Sequence, residues 1–168
     1  MLLMPRHLIA DVFALTDEFL QRNHIRGIVF DIDNTLVGFR TAKPTEEILA
    51  LLDRLKTLGI PYAIASNNSK RRVGIFAEGL GIPAYHRACK PLGFAMLRIR
   101  RHFGGIPLRN IALVGDQIYT DMLGGNLLGM VTVLVEPIDQ KETVFFKIKR
   151  KLELPVINRK RRKDAKKQ

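Results

Sequence analysis

Short apolar runs alternate with amphipathic segments from residue 27 to residue 135, and few folds accept that alternation. Gly27 to Asp31, Tyr62 to Ala65, Pro83 to His86, Asn110 to Val114 and Val131 to Val135 read as strands: too short for helices and bounded by turn residues. Between them lie segments with helical spacing, Pro44 to Leu58, Ser69 to Leu80, Pro91 to Phe103 and Thr120 to Leu128. The first is the clearest. Pro44 suits a first helical turn, and Glu46 and Glu47 complement the helix dipole. Ile48, Leu51, Leu52, Leu55 and Leu58 form one apolar stripe before Gly59 ends the helix. Repeated β-then-α units with short connections predict a parallel sheet of about five strands, flanked by helices on both faces. The expected class is therefore α/β, Rossmann-like, and 168 residues suffice to bury one such core. Sheets of this kind bind ligands at the carboxyl ends of their strands.

Those ends carry the chemistry. Asp31-Ile32-Asp33-Asn34-Thr35 follows the first strand. Residues two apart on a strand share a face, so two carboxylates are brought together. They repel unless a cation lies between them or one takes a proton. Asp and Asn are also common in turns, so the pentapeptide alone admits a bland reading. After the second strand come Ser66, Asn67 and Asn68; after the third, Cys89, Lys90 and Pro91; after the fourth, Gly115, Asp116, Gln117, Thr120 and Asp121. Taken singly, Ser66 is an ordinary helix cap, Lys90 an ordinary surface lysine and Gly115-Asp116 an ordinary turn. Gathered on one sheet edge they are the parts of a phosphoryl-transfer site. Carboxylates hold a hard divalent cation such as Mg²⁺, a hydroxyl and a lysine hold phosphate oxygens, and one carboxylate remains to attack phosphorus.

Asp31-x-Asp33-x-Thr35, Ser66 after an apolar strand, Lys90-Pro91 and Gly115-Asp116-x-x-x-Thr120-Asp121 resemble, in order, motifs one to four of the haloacid dehalogenase (HAD) superfamily. The resemblance implies that Asp31 is the nucleophile, forming an aspartyl-phosphate, and that Asp33 is the general acid and base. It implies Mg²⁺ held by Asp31, Asp116 and the Asp33 backbone carbonyl, with Asp121 supporting that shell. Ser66, Asn67 and Lys90 are implied phosphate contacts, and Thr35 is implied to orient the loop. Aspartate at position 33 is what phosphotransfer members carry, which argues against dehalogenation.

Many members of that superfamily insert a cap domain after the first or second motif. Here one turn and one helix fill the interval from Asp31 to Ser66, and one helix and a short strand fill that from Ser66 to Lys90, so a capless form is expected. An open site suits a phosphate projecting from something large. The leader before Asp31, Asp-Ile-Asp-Asn-Thr-Leu-Val, Ser-Asn-Asn, Ala-Cys-Lys-Pro-Leu and Gly-Asp-Gln-x-x-Thr-Asp resemble the IIIA-type YqeG branch. Relatives in that branch remove the terminal phosphate of phosphatidylglycerophosphate. Arg40, Lys43, Lys70 and Arg71, with Arg72 beside them, are candidate contacts for an anionic substrate.

Charge is uneven. Lys141 to Gln168 carries twelve Lys or Arg against Glu142, Glu153 and Asp164, so +9 of the net +12 lies there. The expected organisation is a single domain over residues 1–140, with a helical leader, and a basic tail over 141–168. Arg159 to Lys163 should repel itself and stay extended. Such a block attracts polyanions, and Val144-Phe145-Phe146 beside Lys147, Lys149, Arg150 and Lys151 adds the apolar component of a membrane-surface segment. Two readings follow. One is a Mg²⁺-dependent phosphomonoesterase acting on an anionic phospholipid such as phosphatidylglycerophosphate, with nucleotide, sugar phosphate or phosphoprotein as alternative substrates. The other is a basic module that binds RNA or a ribonucleoprotein, against which stands the lack of a stacking aromatic in the block. The lone Cys89 excludes an internal disulfide and fits a reducing compartment, where it should be a small buried hydrophobe. No run is long enough for a membrane span, and residues 1–20 lack a signal-peptide pattern, so a cytoplasmic location with peripheral contact at the inner membrane face is expected.

Overall fold

In the computed structural model, which describes residues 2–139 and 144–165 (backbone only over 144–152), strand β2 (Gly27–Phe30) is buried along its whole length and forms the axis of the fold. Its side chains alternate. Ile28 and Phe30 enter one core with Ile48, Leu52 and Leu55, while Val29 enters the opposite core with Met96, Ile99 and Leu113. A strand buried on both faces reads as a continuous apolar run, as this one does. The other strands are β1 (His7–Ile9), β3 (Tyr62–Ala65), β4 (Ala84–Tyr85), β5 (Ile111–Gly115) and β6 (Val131–Val135). All pair in parallel, in the order β1-β6-β5-β2-β3-β4. The chain runs outward from β2 through β3 to β4, then returns to β5 on the other flank. The order therefore reverses between β2 and β5, and a crevice opens at their carboxyl ends.

Helices α1 (Asp17–Arg22), α2 (Glu46–Thr57), α3 (Lys70–Ala77), α4 (Phe94–His102) and α5 (Leu123–Leu127) connect the strands. Thr16, Thr45 and Ser69 cap α1, α2 and α3 by accepting from backbone N–H groups of the first turn. A single π-helical turn, Ile118–Met122, precedes α5 in place of the expected α-helical start. Among the described residues, α2 alone fills the β2–β3 connection and α3 alone the β3–β4 connection, so neither holds a cap domain.

The structure corrects three expectations. The leader is not all helical: it supplies β1, which pairs with β6 and brings the sheet to six strands. Three residues carry too little periodicity to be read as a strand; the exposed edge of β6 makes them one. The basic block is not extended. Arg159 to Lys163 lies in α6 (Val144–Ala165). Its repulsion is offset by Lys160–Asp164 at 2.8 Å and Arg161–Glu136 at 2.6 Å, and Val156 and Ile157 anchor the helix against Ile118, Met122 and Leu134. Cys89 is exposed, at φ 51°, with its Sγ 3.2 Å from the Arg87 carbonyl. The side chains of Val144-Phe145-Phe146 and of Lys147 to Lys151 lie outside the described residues, as do Lys166 and Lys167. No helix among the described residues is long and apolar enough to cross a membrane.

Candidate active site

The sheet brings Asp31, Ser66, Lys90 and Asp116 to one edge. Asp31 N–H donates to the Val114 carbonyl at 2.9 Å, so the β2–β5 ladder holds the first carboxylate at the strand end. Ile32 to Val37 then curls into a tight loop, with Asn34 at φ 63° and three N–H groups aimed at the Ile32 carbonyl. Asn tolerates that left-handed backbone better than most residues. The loop is pinned from outside, because Asn34 Oδ1 accepts from Asp139 N–H at 3.1 Å.

Lys90 lies at the centre. Its Nζ is 2.6 Å from Asp31 Oδ1 and 2.6 Å from Asp121 Oδ1, and its side chain is 3% exposed. Asn67 fixes its backbone twice: Lys90 N–H donates to Asn67 Oδ1 at 2.8 Å, and Asn67 Nδ2 donates to the Lys90 carbonyl at 3.0 Å. Burial opposes the Lys90 charge, but the carboxylates of Asp121 and Asp31 outweigh it and raise the pKa above the ordinary lysine value. Lys90 is therefore a permanent cation. Burial pushes the Asp31 carboxyl up to about 6, with Asp121 and Asp33 adding to the rise and Lys90 working against it.

Asp33 sits in a separate grip. Arg72 Nε and Nη2 lie 3.0 and 2.8 Å from its Oδ1, and Asn68 Nδ2 donates to its Oδ2 at 3.0 Å. The same guanidinium donates to the carbonyls of Ala42 and Thr41 at 2.8 and 2.9 Å. Arg72 thus ties Asp33 to the strand-to-helix connection before α2. Ser66 is buried, and its Oγ accepts from Asn68 N–H at 3.2 Å.

Asp116 and Asp121 complete the floor. Burial first, then Asp31, Asp121 and Glu153, hold the Asp116 carboxyl well above its ordinary value. Gly115 leaves room for Asp121: a Cβ there would stand 2.4 Å from Asp121 Cγ. Gln117 N–H donates to Asp121 Oδ2 at 3.2 Å, and Ile118 N–H donates to Glu153 Oε1 of α6 at 3.0 Å. The last helix therefore fastens the loop that carries Asp116.

These residues fit a hard cation. Asp116 Oδ1 is buried with no hydrogen-bond partner among the described residues, a costly state for an acceptor unless a cation meets it. No three His, Cys, Asp or Glu side chains among the described residues converge on one point, because Lys90 stands between Asp31 and Asp121. Mg²⁺ does not require three: it takes one or two carboxylates and completes its shell with carbonyls, waters and substrate oxygens.

An open cleft of about 280 Å³ is lined by Asp31, Asp33, Ser66, Asn67, Lys90 and Asp121, with Phe39, Asn68, Gln117 and Thr120 at its sides. Thr35 and Asp116 are buried and do not line it. Arg40, Lys43, Lys70 and Arg71, the candidate substrate contacts, do not line it; Lys43 instead pairs with Glu78 at 3.0 Å. Among the neighbouring cations it is Arg72, at the third position of α3, that reaches the site. Helical spacing distinguishes it from Lys70 and Arg71, since residues one or two apart do not share a face. Glu153 had no local signal, being a lone acid in a basic segment.

Residues 87–137 match a protein-family model described as HAD-hydrolase-like. Over 160 residues the chain is 34% identical to the Bacillus subtilis (strain 168) protein named "Probable phosphatase YqeG", covering 95% of this chain and 92% of that one. It is 31% identical over 175 residues to "Phosphatidylglycerophosphate phosphatase 1, chloroplastic/mitochondrial" of Arabidopsis thaliana, covering 97% of this chain and 49% of the relative. The chain thus spans about half the length of that relative. Among solved structures, the cobalt-bound deoxy-D-mannose-octulosonate 8-phosphate phosphatase (YrbI) of Haemophilus influenzae superposes with a TM-score of 0.55. That match covers 76% of this chain and 75% of the other at 14% identity, a likeness of fold. The match to YqeG runs nearly end to end on both chains, and the chain belongs to the YqeG family of HAD-superfamily phosphatases.

Proposed function

We propose that this phosphatase is a Mg²⁺-dependent phosphomonoesterase that works through an aspartyl-phosphate and acts on phosphatidylglycerophosphate. The observation that carries the chemistry is Lys90, a buried cation held 2.6 Å from Asp31 where a phosphoryl oxygen would otherwise meet an uncompensated carboxylate. Asp31 attacks phosphorus, and the bond to the leaving oxygen breaks. Asp33 gives that oxygen a proton. In the second half Asp33 takes a proton from water, the water oxygen attacks phosphorus, and inorganic phosphate leaves with Asp31 restored. Arg72 and Asn68 hold the Asp33 carboxyl in one orientation for both transfers. Ser66, Asn67 and Lys90 bind phosphoryl oxygens as charge develops on them. Asp31, Asp116 and the Asp33 carbonyl would hold Mg²⁺, with Asp121 supporting them. When bound, the ion supplies positive charge against the phosphoryl group and lowers repulsion toward Asp31.

Two observations favour a large substrate. The cleft of about 280 Å³ is at the lower edge of the roughly 300–1,000 Å³ of small-molecule pockets, so it encloses a phosphoryl group and little else. A relative named for phosphatidylglycerophosphate, of which the chain spans about half, matches across 97% of this chain. Phosphate release from phosphatidylglycerophosphate in detergent micelles, set against soluble sugar phosphates, nucleotides and phosphopeptides with and without Mg²⁺, tests the reading. The lipid should lead in kcat/KM by at least roughly tenfold, about 1.4 kcal/mol of transition-state stabilisation. A soluble phosphomonoester leading by that margin overturns it.

A further inference from the structure

We infer that the outward face of α4, with the loop before it, is the surface by which this phosphatase docks on an anionic bilayer. The inference rests on the lipid-phosphate reading above. Buried Ala95, Met96 and Ile99 fix the orientation of α4 on the sheet. Phe94, Leu97, Arg98 and Arg101, spaced three and four apart, then share the opposite face. Leu92 is 69% exposed, Phe94 67% and Leu97 47%, more than a folded chain leaves on one helix end without a use. Leu127, 55% exposed, lies close by, since Gly93 approaches Leu128 and Gly124 approaches Pro91.

Charge selects the occupant. From residue 79 to residue 115 the sequence has no Asp or Glu, but it holds Arg87, Arg98, Arg100, Arg101 and Arg109 besides Lys90. Arg87 and Arg98 border one shallow cleft with Phe94, so the loop and the helix form one patch. Arg87, Arg98 and Arg101 are exposed, and none forms an ion pair among the described residues. A second copy docked by this face would set these cations against each other. Nucleic acid would satisfy the arginines but not the aliphatic Leu92 and Leu97. An anionic bilayer satisfies both: arginines meet headgroup phosphates while Leu92, Phe94 and Leu97 enter the headgroup–acyl boundary. The patch begins two residues beyond Lys90, so docking brings the cleft to the level of headgroup phosphates.

The test is co-sedimentation of the full chain with phosphatidylglycerol–phosphatidylcholine vesicles and with phosphatidylcholine vesicles. Variants are Leu92→Ser with Phe94→Ser, Arg98→Gln with Arg101→Gln, and a chain ending at Ile157. Wild type should prefer the anionic vesicles. The apolar pair of changes should cut the partition coefficient by roughly tenfold or more, as expected for two large side chains left out of an apolar phase. The arginine variant should remove most of the salt-sensitive binding, and the truncation should cost less than either. Hydrolysis of a small soluble phosphomonoester should stay unchanged in both α4 variants, which establishes that they are folded. Wild type failing to bind, or the Leu92/Phe94 variant binding as wild type, overturns the docking face. So does loss of RNA binding or of self-association in these variants with vesicle binding intact. If the variants lose vesicle binding but phosphatidylglycerophosphate in micelles is not a substrate, the docking face stands and the substrate reading falls.

Discussion

Glu153 is a buried acid in the last helix, and its Oε1 accepts the N–H of Ile118, itself fully buried at the start of the π-helical turn. Glu153→Leu keeps side-chain bulk but leaves that N–H without its acceptor. A buried donor stripped of its partner costs about 1–3 kcal/mol. For a chain of this size each kcal/mol moves Tm by roughly 2–4 °C, so a fall of about 2–12 °C is expected. Glu153→Gln is the decisive companion. It retains a carbonyl oxygen to accept from Ile118 and removes a negative charge that raises the Asp116 pKa. Its Tm should fall less than that of Glu153→Leu. Thermal unfolding followed by circular dichroism in Mg²⁺-free buffer at neutral pH measures both. Because the 116–121 loop hangs from this bond, Glu153→Leu should also raise the Mg²⁺ concentration for half-maximal activity. If Glu153→Leu unfolds within about 1 °C of wild type, well under the effect of one lost buried hydrogen bond, α6 does not fasten this loop. If Glu153→Gln falls as far as Glu153→Leu, the hydrogen bond is not what matters.

Asp31→Asn should abolish turnover with the fold intact, since an amide cannot form the acyl-phosphate; substantial residual phosphate release would remove Asp31 as nucleophile. Arg72→Lys should lower kcat more than it raises KM, because one ammonium cannot hold Asp33 and two loop carbonyls at once, and equal kinetics would show that Asp33 does not need the grip. Gly115→Ala should displace Asp121, whose Cγ stands 2.4 Å from the new methyl position, and weaken both stability and Mg²⁺ response; a variant with wild-type Tm would contradict the close approach. The Asp31 carboxyl rises from 3.8 to about 6 on folding in the absence of metal, so the folded chain holds the proton more tightly between those values. That stabilisation is present below about pH 4 and is lost as pH rises through 6. The gain in Tm from added Mg²⁺ should therefore grow from pH 5 to pH 8, and a gain independent of pH would count against Asp31 as a ligand.

The parallel α/β sheet was legible because its strands are buried on both faces and their apolar runs need no partner to identify them. The four motifs were legible for the same reason: each follows such a run, and topology does the rest. What escaped depends on contacts across the fold. β1 is a strand only because β6 has a free edge. The basic block is helical because Val156 and Ile157 seat it and because Glu136 and Asp164 meet two of its cations. Arg72 stood in a run of three cations, and only the helical phase of α3 selects it for Asp33. Glu153 lies 35 residues from Ile118 in sequence and joins it only in the folded chain.

Charge within the site explains why so many of these contacts are needed at once. Asp31, Asp33, Asp116 and Asp121 are buried and coupled electrostatically, against two cations that reach them among the described residues, Lys90 and Arg72. Fully ionised, these four carboxylates and two cations are two charges negative, and a phosphomonoester dianion would have to enter among them. The fold meets this by three separate devices. Arg72 and Asn68 neutralise and bond Asp33 apart from the rest, so the proposed acid–base group does not compete for Lys90. Lys90 bridges Asp31 and Asp121, so one ammonium compensates two carboxylates. Asp116 pairs directly with neither: burial first, then Asp31 and Asp121, raise its pKa against the pull of Lys90, and its Oδ1 has no hydrogen-bond partner among the described residues. A divalent cation at Asp116 and Asp31, as proposed above, would supply the missing positive charge. The same imbalance sets the direction of the expected pH dependence, because protons and Mg²⁺ would compete for one deficit.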